Sequence, residues 1–398
     1  MKILMITPYL PYPLLSGGQI RSYNLIKHLA RDHEITLVSF IRKPQEKEYV
    51  NSLLKYCKDV KLILRKKAFS PINILLAGLT HMPFLVAIYY SPKAKKVIYD
   101  LLSKEHFDLI HAETFYIMPN IPKTDAPTLL VEQTIEYLVY DHFVSEFKLF
   151  LAKPLLYYDV LKIKFFENLY WRKADKVVAM SESDAQIMKK LVPNLDVGIV
   201  PNGVDSKFFE DVKRKKDDQK VILFVGNFKW LQNREAASYL ITKIWPNIIK
   251  HFPNSKLWIV GKNPSPELKN LSKQVSGIVL DEKVEDIRIA YQGSDLLIAP
   301  IFGPGGTRYK ILEAMASGIP VITTSTGIEG IPAENGKDVI IRETAEELTS
   351  AAIELLGDSK IYKQIAQNGK KLVIKEFEWS QISKKLAGIY KEVADFKT

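Results

Sequence analysis

Compact apolar runs alternate along the chain with longer amphipathic stretches. Residues 3–6 are wholly apolar, a proline-rich loop follows, and residues 19–30 form the first predicted helix. Because this strand-then-helix order recurs, the pattern predicts parallel β-sheets joined by crossover helices, an α/β fold. The other predicted strands cover residues 34–40, 61–64, 109–111, 128–132, 176–180, 221–225, 256–260, 277–280, 296–299 and 321–323.

A strongly charged stretch at residues 211–220 interrupts this alternation, and the strand-helix order restarts at residue 221. A length of 398 residues also suggests more than one domain. We therefore predict a first domain over residues 1–198 and a second domain that begins at residue 199. Ligands of such sheets bind at the carboxyl ends of the strands, so we expect the site there.

Basic residues outnumber acidic ones, which gives the chain a formal charge of +11. Such an excess favours anionic partners: nucleic acid, an acidic membrane face, or small molecules that carry phosphate. The single cysteine, Cys57, excludes an internal disulfide and fits a reducing compartment. The apolar run before Pro8 is too short for a secretory signal, so we expect a cytoplasmic protein.

Residues 68–92 contain no Lys, Arg, Asp or Glu. Pro71, Asn73 and Gly78 interrupt the run, which favours two short apolar helices over a membrane span. Basic residues flank the run at positions 65–67 and 93–96. Two interpretations stay open: peripheral contact with the inner face of an anionic membrane, or ordinary core packing with a solvated basic rim.

A glycine-rich loop at residues 303–306 lies between a predicted strand and a helix predicted over residues 307–318. Backbone N–H groups at a helix start, together with the helix dipole, favour an anion there. Arg308 and Lys310 add full positive charge, as a pyrophosphate ligand would require. A plain tight turn with two solvated basic residues is the alternative interpretation.

Residues 300–321 resemble the nucleotide-binding signature of the GT-B retaining glycosyltransferases of family four, also called group-one glycosyltransferases. The closest subgroup has a Gly-Gly-Thr-Arg-x-Lys-x-x-Glu-Ala core. The resemblance implies two Rossmann-like domains that face each other across a cleft, with residues 199–378 binding the donor and a terminal helix at residues 379–398 crossing back to the first domain. Further segments agree in order and spacing: Gly17-Gly18, residues 108–112, 181–184, 201–205 and 224–227, Asp286 with Arg288, and residues 327–330.

The resemblance also implies roles for individual residues. Glu313 would accept hydrogen bonds from the ribose hydroxyls of the nucleotide. Arg308 and Lys310 would neutralise the leaving diphosphate, and His111 would lie at the cleft and bind the donor sugar. The other expected substrate-binding residues are Gly17 and Gly18, whose backbone would approach the donor or acceptor, and Asn202, Gly226, Asn227, Lys229, Val284, Gly305, Gly306 and Thr307.

Two positions carry open questions. Gly305 stands where the family's paired-glutamate motif has its first glutamate, so backbone N–H groups of residues 303–307 would have to contact the sugar. Glu136 lies in a segment that resembles the acceptor-side loop, so it either contacts the acceptor or is an ordinary surface carboxylate.

The expected function is retaining transfer of a sugar from a nucleoside-diphosphate sugar to a glycan or lipid-linked acceptor, without cofactor or metal. The alternatives are a nucleotide-sugar epimerase or hydrolase that uses carboxylates such as Glu132, Glu136 and Asp141, or an inactive GT-B partner protein. No G-x-G-x-x-G follows the first strand, which disfavours a dinucleotide-dependent oxidoreductase. The basic residues are dispersed and form no nucleic-acid-reading module, so we expect no nucleic-acid partner.

Overall fold

A computed structural model describes residues 1–147, 149–210, 219–303 and 307–395. The chain forms two compact units. The first is Met1–Pro201 together with the C-terminal segment that begins at Trp379, and the second is Asn202–Glu378.

The first unit is built on a parallel sheet with the strand order β3-β2-β1-β4-β5-β6-β7. Its strands are β1 (Lys2–Thr7), β2 (Glu34–Ile41), β3 (Asp59–Leu64), β4 (Leu109–Glu113), β5 (Thr128–Val131), β6 (Lys176–Ala179) and β7 (Val197–Ile199). Ile3 of β1 pairs with Ile35 of β2 on one side and with Leu109 of β4 on the other. All residues of β4 and β5 are buried, as expected where helices cover both faces of a parallel sheet.

The second unit has a parallel sheet with the order β10-β9-β8-β11-β12-β13. Its strands are β8 (Lys220–Val225), β9 (Ser255–Val260), β10 (Ile278–Asp281), β11 (Leu296–Ala299), β12 (Val321–Thr323) and β13 (Ile340–Ile341). Leu223 lies between Trp258 of β9 and Leu297 of β11.

The helices begin largely where the sequence provides a capping side chain. The side chains of Ser16, Ser70 and Ser181 each accept a hydrogen bond from a backbone N–H in the first turn of the helix that follows. Thr344 forms a capping box with Glu347. The helices are α1 (Gly17–Leu29), α2 (Val50–Leu54), α3 (Pro71–Leu79), α4 (Phe84–Tyr89), α5 (Pro92–Lys104), α6 (Glu136–Ser145), α7 (Lys153–Lys173), α8 (Glu182–Leu191), α9 (Ser206–Glu210), α10 (Leu231–Tyr239), α11 (Trp245–His251), α12 (Pro266–Gln274), α13 (Ile287–Gln292), α14 (Tyr309–Ala316), α15 (Ala345–Gly357), α16 (Ser359–Glu376) and α17 (Trp379–Asp395).

Both sheets contain a point at which the strand order reverses. In the first unit the chain builds outward from β1 through β2 and β3, and it then returns to place β4 on the other side of β1. In the second unit the same reversal separates β8 from β11. The loops that leave neighbouring strands at such a point diverge, which opens a crevice for a ligand.

The predicted fold class is confirmed: each unit is a Rossmann-like α/β array on a parallel sheet. The structure differs from the sequence-based expectation in detail. The sequence pattern also predicts one helix near Arg234–Trp245, whereas the structure has α10 and α11 there, joined by a π-helical turn at Leu240–Ile244. The two-residue strand β13 was not predicted, since so short a run has no recognisable pattern. Helix α17 packs against α1, β4 and β5 of the first unit.

Candidate functional site

Two buried cations lie at the strand-order reversal of the second unit. Arg308 comes directly before α14, and its Nη2 donates to the carbonyl oxygen of Gly303 at 2.7 Å. Lys310 lies in the first turn of α14, where its Nζ donates to Oδ1 of Asn233 at 2.7 Å. The same Nζ lies 4.3 Å from the centre of the Phe224 ring. Two positively charged side chains therefore lie together at the start of α14.

The surroundings of Lys310 destabilise its protonated, positively charged form. Burial, followed by the neighbouring positive charge of Arg308, lowers the pKa of Lys310 to about 7, and the carboxylate of Glu313 offsets only part of this. A free ammonium group has a pKa near 10.4, so the unliganded site disfavours full protonation. An anion bound at this place would reverse the effect, because it would stabilise the protonated form of the lysine.

Glu313 lies one turn further along α14, on the side of Lys310. Its carboxylate is half-buried, and Oε2 accepts a hydrogen bond from the hydroxyl of Tyr291 at 2.6 Å. Burial raises the pKa of Glu313, while the Tyr291 bond and the charge of Lys310 oppose that rise. Tyr291, which the sequence did not indicate, holds the carboxylate in one orientation.

Asn233 joins the two loops that leave β8 and β11. Its Nδ2 donates to the carbonyl oxygen of Asn227 at 2.9 Å, while its Oδ1 accepts from Lys310. A Cβ atom at Gly226 would lie 3.0 Å from Cγ of Asn233, so glycine permits this close approach. Gly226 and Asn227, both predicted to bind substrate, thus adjoin the lysine through Asn233. Asn233 itself is not among the substrate-binding residues expected from the sequence.

Asn202 and Thr307, both expected to bind substrate, are hydrogen-bonded to each other in the second unit. Nδ2 of Asn202 donates to the carbonyl oxygen of Thr307 at 3.2 Å, and Oδ1 of Asn202 accepts from the Tyr309 hydroxyl at 3.0 Å. Thr307 is buried. The Asn202 amide therefore anchors the start of α14, and its role in the structure is to position the segment that carries Arg308 and Lys310.

The remaining predicted residues of the second unit divide into three groups. Lys229 is exposed, with its backbone N–H bonded to Oδ1 of Asn227 at 3.1 Å. Val284 is half-buried against the apolar core of the unit. Gly305 and Gly306 lie outside the described residues.

His111 lies in the middle of β4 in the first unit. Its ring is fully buried, with Nδ1 2.6 Å from the Tyr390 hydroxyl and Nε2 3.1 Å from Oε1 of Glu113. Oε2 of Glu113 accepts from Nε2 of Gln133 at 2.6 Å, and that amide also donates to the Tyr9 hydroxyl at 2.6 Å. Both ring nitrogens of His111 therefore have partners inside the unit, and the expected contact of His111 with the donor sugar stays a prediction.

Glu113 is the charged centre of this network. Burial alone would raise its pKa, but the hydrogen bond and charge of His111, together with the charge of Arg21, outweigh burial and hold the pKa of Glu113 below its usual value. Arg21 is itself fully buried and donates to the carbonyl oxygens of Pro201 and Val200 at 2.8 and 2.9 Å. The unit thus contains a buried anion whose charge is compensated by the unit's own residues.

The glycine pair at the start of α1 packs closely against residues of this network. A Cβ atom at Gly18 would lie 2.1 Å from the Tyr9 hydroxyl oxygen and 2.7 Å from Oε1 of Gln133. Close packing inside the unit therefore explains glycine at position 18, and the expected approach of its backbone to a bound substrate stays a prediction. Gly17 is the first residue of α1, directly after the capping Ser16.

Glu136 is neither an ordinary surface carboxylate nor a fully enclosed one. It is half-buried at the first position of α6, and burial raises its pKa to about 7. Its backbone N–H donates to Oε1 of Glu167 at 2.6 Å. Glu132 and Glu167 are buried nearby, and burial raises the pKa of both carboxyls well above the usual range.

Two features are absent from the part of the chain that the structure describes. The described His, Cys, Asp and Glu side chains form no group of three or more that could hold a metal ion. No helix in the described part of the chain combines the length and apolarity that crossing a membrane requires.

Two family models match the chain. "Glycosyltransferase Family 4" matches residues 15–208, and "Glycosyl transferases group 1" matches residues 219–358. The two matches together support the assignment of this chain to the group-one, family-four glycosyltransferases, and with it glycosyltransferase activity. The narrower subgroup defined by the Gly-Gly-Thr-Arg core stays a prediction.

Individual proteins resemble the chain over nearly its whole length. An uncharacterized 44.6 kDa protein in the cps region of Klebsiella pneumoniae is 22% identical, over 98% of this chain and 99% of that protein. The structure of sucrose-phosphate synthase from Thermosynechococcus elongatus superposes with a TM-score of 0.76 at 16% identity, covering 100% of both chains. Anabaena HepE in complex with UDP-glucose superposes with a TM-score of 0.67 at 15% identity, over 98% of this chain and 100% of HepE. These structural likenesses show the GT-B fold.

Proposed function

We propose that the protein transfers a sugar, with retention of configuration, from a nucleoside-diphosphate sugar to a glycan or lipid-linked acceptor. The observation that carries the proposal is the arrangement on α14. Lys310 and Glu313 lie one turn apart, the lysine next to Arg308 and the carboxylate fixed by Tyr291. Two cations suit a diphosphate, and an oriented carboxylate suits the vicinal hydroxyls of a ribose.

The chemistry asked of these residues is stabilisation of charge. As the glycosidic bond to the diphosphate breaks, positive charge grows on the sugar ring and negative charge grows on the leaving oxygen. Lys310 and Arg308 are already fixed in a buried place, so they need little reorganisation when that negative charge develops. Retention would follow from attack of the acceptor hydroxyl on the face that the diphosphate leaves, with the diphosphate taking the hydroxyl proton.

The comparisons support the donor class and indicate the kind of acceptor. HepE, which shares the fold, was crystallised with UDP-glucose, so a nucleotide sugar is bound by at least one protein of this architecture. The Klebsiella relative is named for its place in a cps region. An envelope or capsule glycan, or its lipid-linked precursor, is therefore the acceptor class we propose.

A thermal-shift screen tests the donor site. The purified chain is melted with UDP, GDP, ADP, CMP and the corresponding nucleotide sugars, beside Glu313→Ala and the control Glu354→Ala, which removes an exposed helical carboxylate of the same unit. A ligand at a hundredfold its Kd stabilises the native state by about 2.7 kcal/mol. We expect one nucleotide series to stabilise the wild type and Glu354→Ala and to lose its effect in Glu313→Ala. Equal shifts in all three proteins would contradict the assigned site.

Turnover of the nucleotide sugar that binds tests the reaction itself. We expect product only when an acceptor glycan is present, with the anomeric configuration of the donor preserved in its NMR spectrum. Release of free sugar without acceptor would favour a hydrolase, and an inverted product would overturn retention. We also propose that transfer needs no metal, so chelation with EDTA should leave the rate unchanged. A rate that EDTA abolishes and Mg²⁺ or Mn²⁺ restores would reject this.

A further inference from the structure

Helix α3 buries a polar side chain and exposes its large apolar side chains to solvent. The buried side chain within it is polar: Asn73, whose Nδ2 donates to the carbonyl oxygens of Lys67 and Ala68 at 3.0 Å each. Its large apolar side chains face outward, with Leu75 56% and Leu79 80% exposed. A soluble helix normally buries its apolar face, so a helix that buries its amide and exposes its leucines is built to have that face covered.

A second apolar stripe follows α7 and the turn before it. Leu151, Leu155, Leu161 and Phe165 are between 61% and 74% exposed. The last three lie at spacings of six and four residues, which places them on one side of an α-helix. The opposite side of α7 is buried through Val160, Ile163 and Trp171, so the helix already has its core contact and the stripe is additional.

The structure brings these two helices together. Nζ of Lys162, on α7, donates to the carbonyl oxygens of Ala77 and Met82 at 2.7 and 3.2 Å, at the end of α3. The backbone N–H of Phe84 donates to Asp159 of α7 at 3.0 Å. We call the combined surface the α3–α7 patch, represented by Phe69, Leu75, Leu79, Leu151, Leu155 and Phe165.

The charged residues of the two stretches that form the patch are mainly basic. Across residues 65–82 and 149–165 the only acidic residue is Asp159, and it is paired with Lys162 at 3.3 Å. Lys66 and Lys67 are exposed next to Phe69. The basic residues of the two stretches are Arg65, Lys66, Lys67, Lys153, Lys162 and Lys164.

We propose that the α3–α7 patch docks onto an anionic lipid bilayer. Its leucines and phenylalanines would enter the boundary between headgroups and acyl chains, while the lysines beside them would meet lipid phosphates. A second copy of this chain is the poorer occupant, because pairing the patch with itself would bring basic residues together in a chain of net charge +11. The proposal is independent of the donor chemistry, since every residue of the patch lies in the first unit.

Vesicle co-sedimentation of the full chain tests the proposal. The probes are vesicles of phosphatidylcholine alone and vesicles that also contain phosphatidylglycerol. The apolar variant is Leu75→Asp/Leu79→Asp/Leu155→Asp, and the charge variant is Lys66→Glu/Lys67→Glu. Matched controls lie on α16 of the second unit: Ile374→Asp, where the side chain is 38% exposed, and Lys363→Glu/Lys371→Glu, which changes the net charge equally at exposed positions.

We expect the wild type to bind the anionic vesicles and to bind phosphatidylcholine much more weakly. The apolar variant should lose at least about tenfold in affinity. The charge variant should lose roughly fivefold per lysine. Both controls should bind nearly as the wild type does, and every variant should keep the circular dichroism spectrum and the cooperative thermal melt of the wild type, which shows that each one folds. The proposal would be overturned if the wild-type protein sediments with none of the vesicles, or if the patch variants bind them as well as the controls do. A solution dimer that the apolar variant breaks, without vesicle binding, would overturn it in favour of self-association.

Discussion

Each strand-order reversal has a buried charged side chain beside it, and the two units differ in whether neighbouring residues stabilise that charge. In the first unit, the buried carboxylate of Glu113 is bonded to His111 and Gln133 and compensated by Arg21. In the second unit, the buried ammonium of Lys310 has another cation beside it, and its pKa falls to about 7. A charge that its own unit compensates is part of the architecture, whereas a cation that its own unit destabilises marks a place for an anionic ligand. Residue type alone did not distinguish the two cases.

Removing the destabilised cation should give the largest effect. In Lys310→Met we expect kcat/KM for the nucleotide sugar to fall about 10²–10³-fold, as for the loss of one preorganised donor. The unliganded protein should melt no lower than the wild type, because a buried charge has been removed. Steady-state kinetics and calorimetry check both parts, with exposed Lys250→Met as the control. Lost activity together with a large loss of stability would make Lys310 structural, like Glu113.

Removing the compensated anion, the Glu113 carboxylate, should lower the stability of the first unit. Glu113→Gln leaves the buried charge of Arg21 without its nearby anion, so we expect a loss of about 3 kcal/mol in the free energy of unfolding of the first unit. Glu105→Gln, which removes an exposed carboxylate paired with Lys58, should cost under about 1 kcal/mol. Chemical denaturation followed by tryptophan fluorescence measures both. If the two variants lose equal stability, the network is not the support described here.

Gly18→Ala tests the packing of the glycine loop against the same network. A methyl group there would overlap the Tyr9 hydroxyl, so we expect a loss of about 1–3 kcal/mol. The double variant Gly18→Ala/Tyr9→Phe removes that hydroxyl and should recover part of the loss, which a double-mutant cycle measures. Purely additive effects would show that the Tyr9 contact does not explain the glycine.

The pH dependence of the unfolding free energy gives a smaller effect that also distinguishes Lys310 from Glu113. The folded-state pKa of Lys310, about 7, lies below its ordinary value of 10.5, so between these values the unfolded chain binds more protons than the folded one. Lys310 should therefore make the unliganded protein more stable as the pH rises through this window, by at most about 1.4 kcal/mol per pH unit. Denaturation of wild type and Lys310→Met at pH 7, 8 and 9 isolates this term. A difference between the two proteins that does not change with pH would reject it.

Donor binding should respond to pH with the opposite sign. A bound diphosphate requires the protonated lysine, so affinity for the nucleotide sugar should fall above pH 7 by up to about tenfold per pH unit. A nucleotide sugar is the better probe than a free nucleotide, because its diphosphate has no terminal phosphate to titrate in this range. Titration calorimetry at the same pH values tests this, and a flat profile would contradict it.

The sequence was most informative where function and fold are local. Buried parallel strands are short apolar runs, so β1, β8 and β11 were predictable, and the charge of Arg308 and Lys310 stood beside a glycine loop. The partners of those residues were not predictable. Asn233 is 77 positions from Lys310 and Tyr291 is 22 from Glu313, and no local pattern connects them.

The predictions for His111 and α3 show two other limits. The segment that carries His111 resembles a ligand-binding motif, but nothing in it indicates that Tyr390, 279 positions further on, is hydrogen-bonded to the ring. In α3 apolar residues occupy nearly every position, so there is no periodicity to show which side faces the core. The proposal of bilayer contact therefore rests on the burial of Asn73 and the exposure of its neighbours, which only the structure provides.

The bond between His111 and Tyr390 has a consequence for how the protein is made. The second unit is one continuous stretch, Asn202–Glu378, and can fold as soon as it leaves the ribosome. The first unit begins synthesis earlier but ends later, since α17 supplies Tyr390 only after the whole second unit has been translated. At usual elongation rates the incomplete unit waits roughly ten to forty seconds, with His111 lacking its tyrosine partner. The half of the protein that is translated first is therefore the half that depends longest on protection from misfolding.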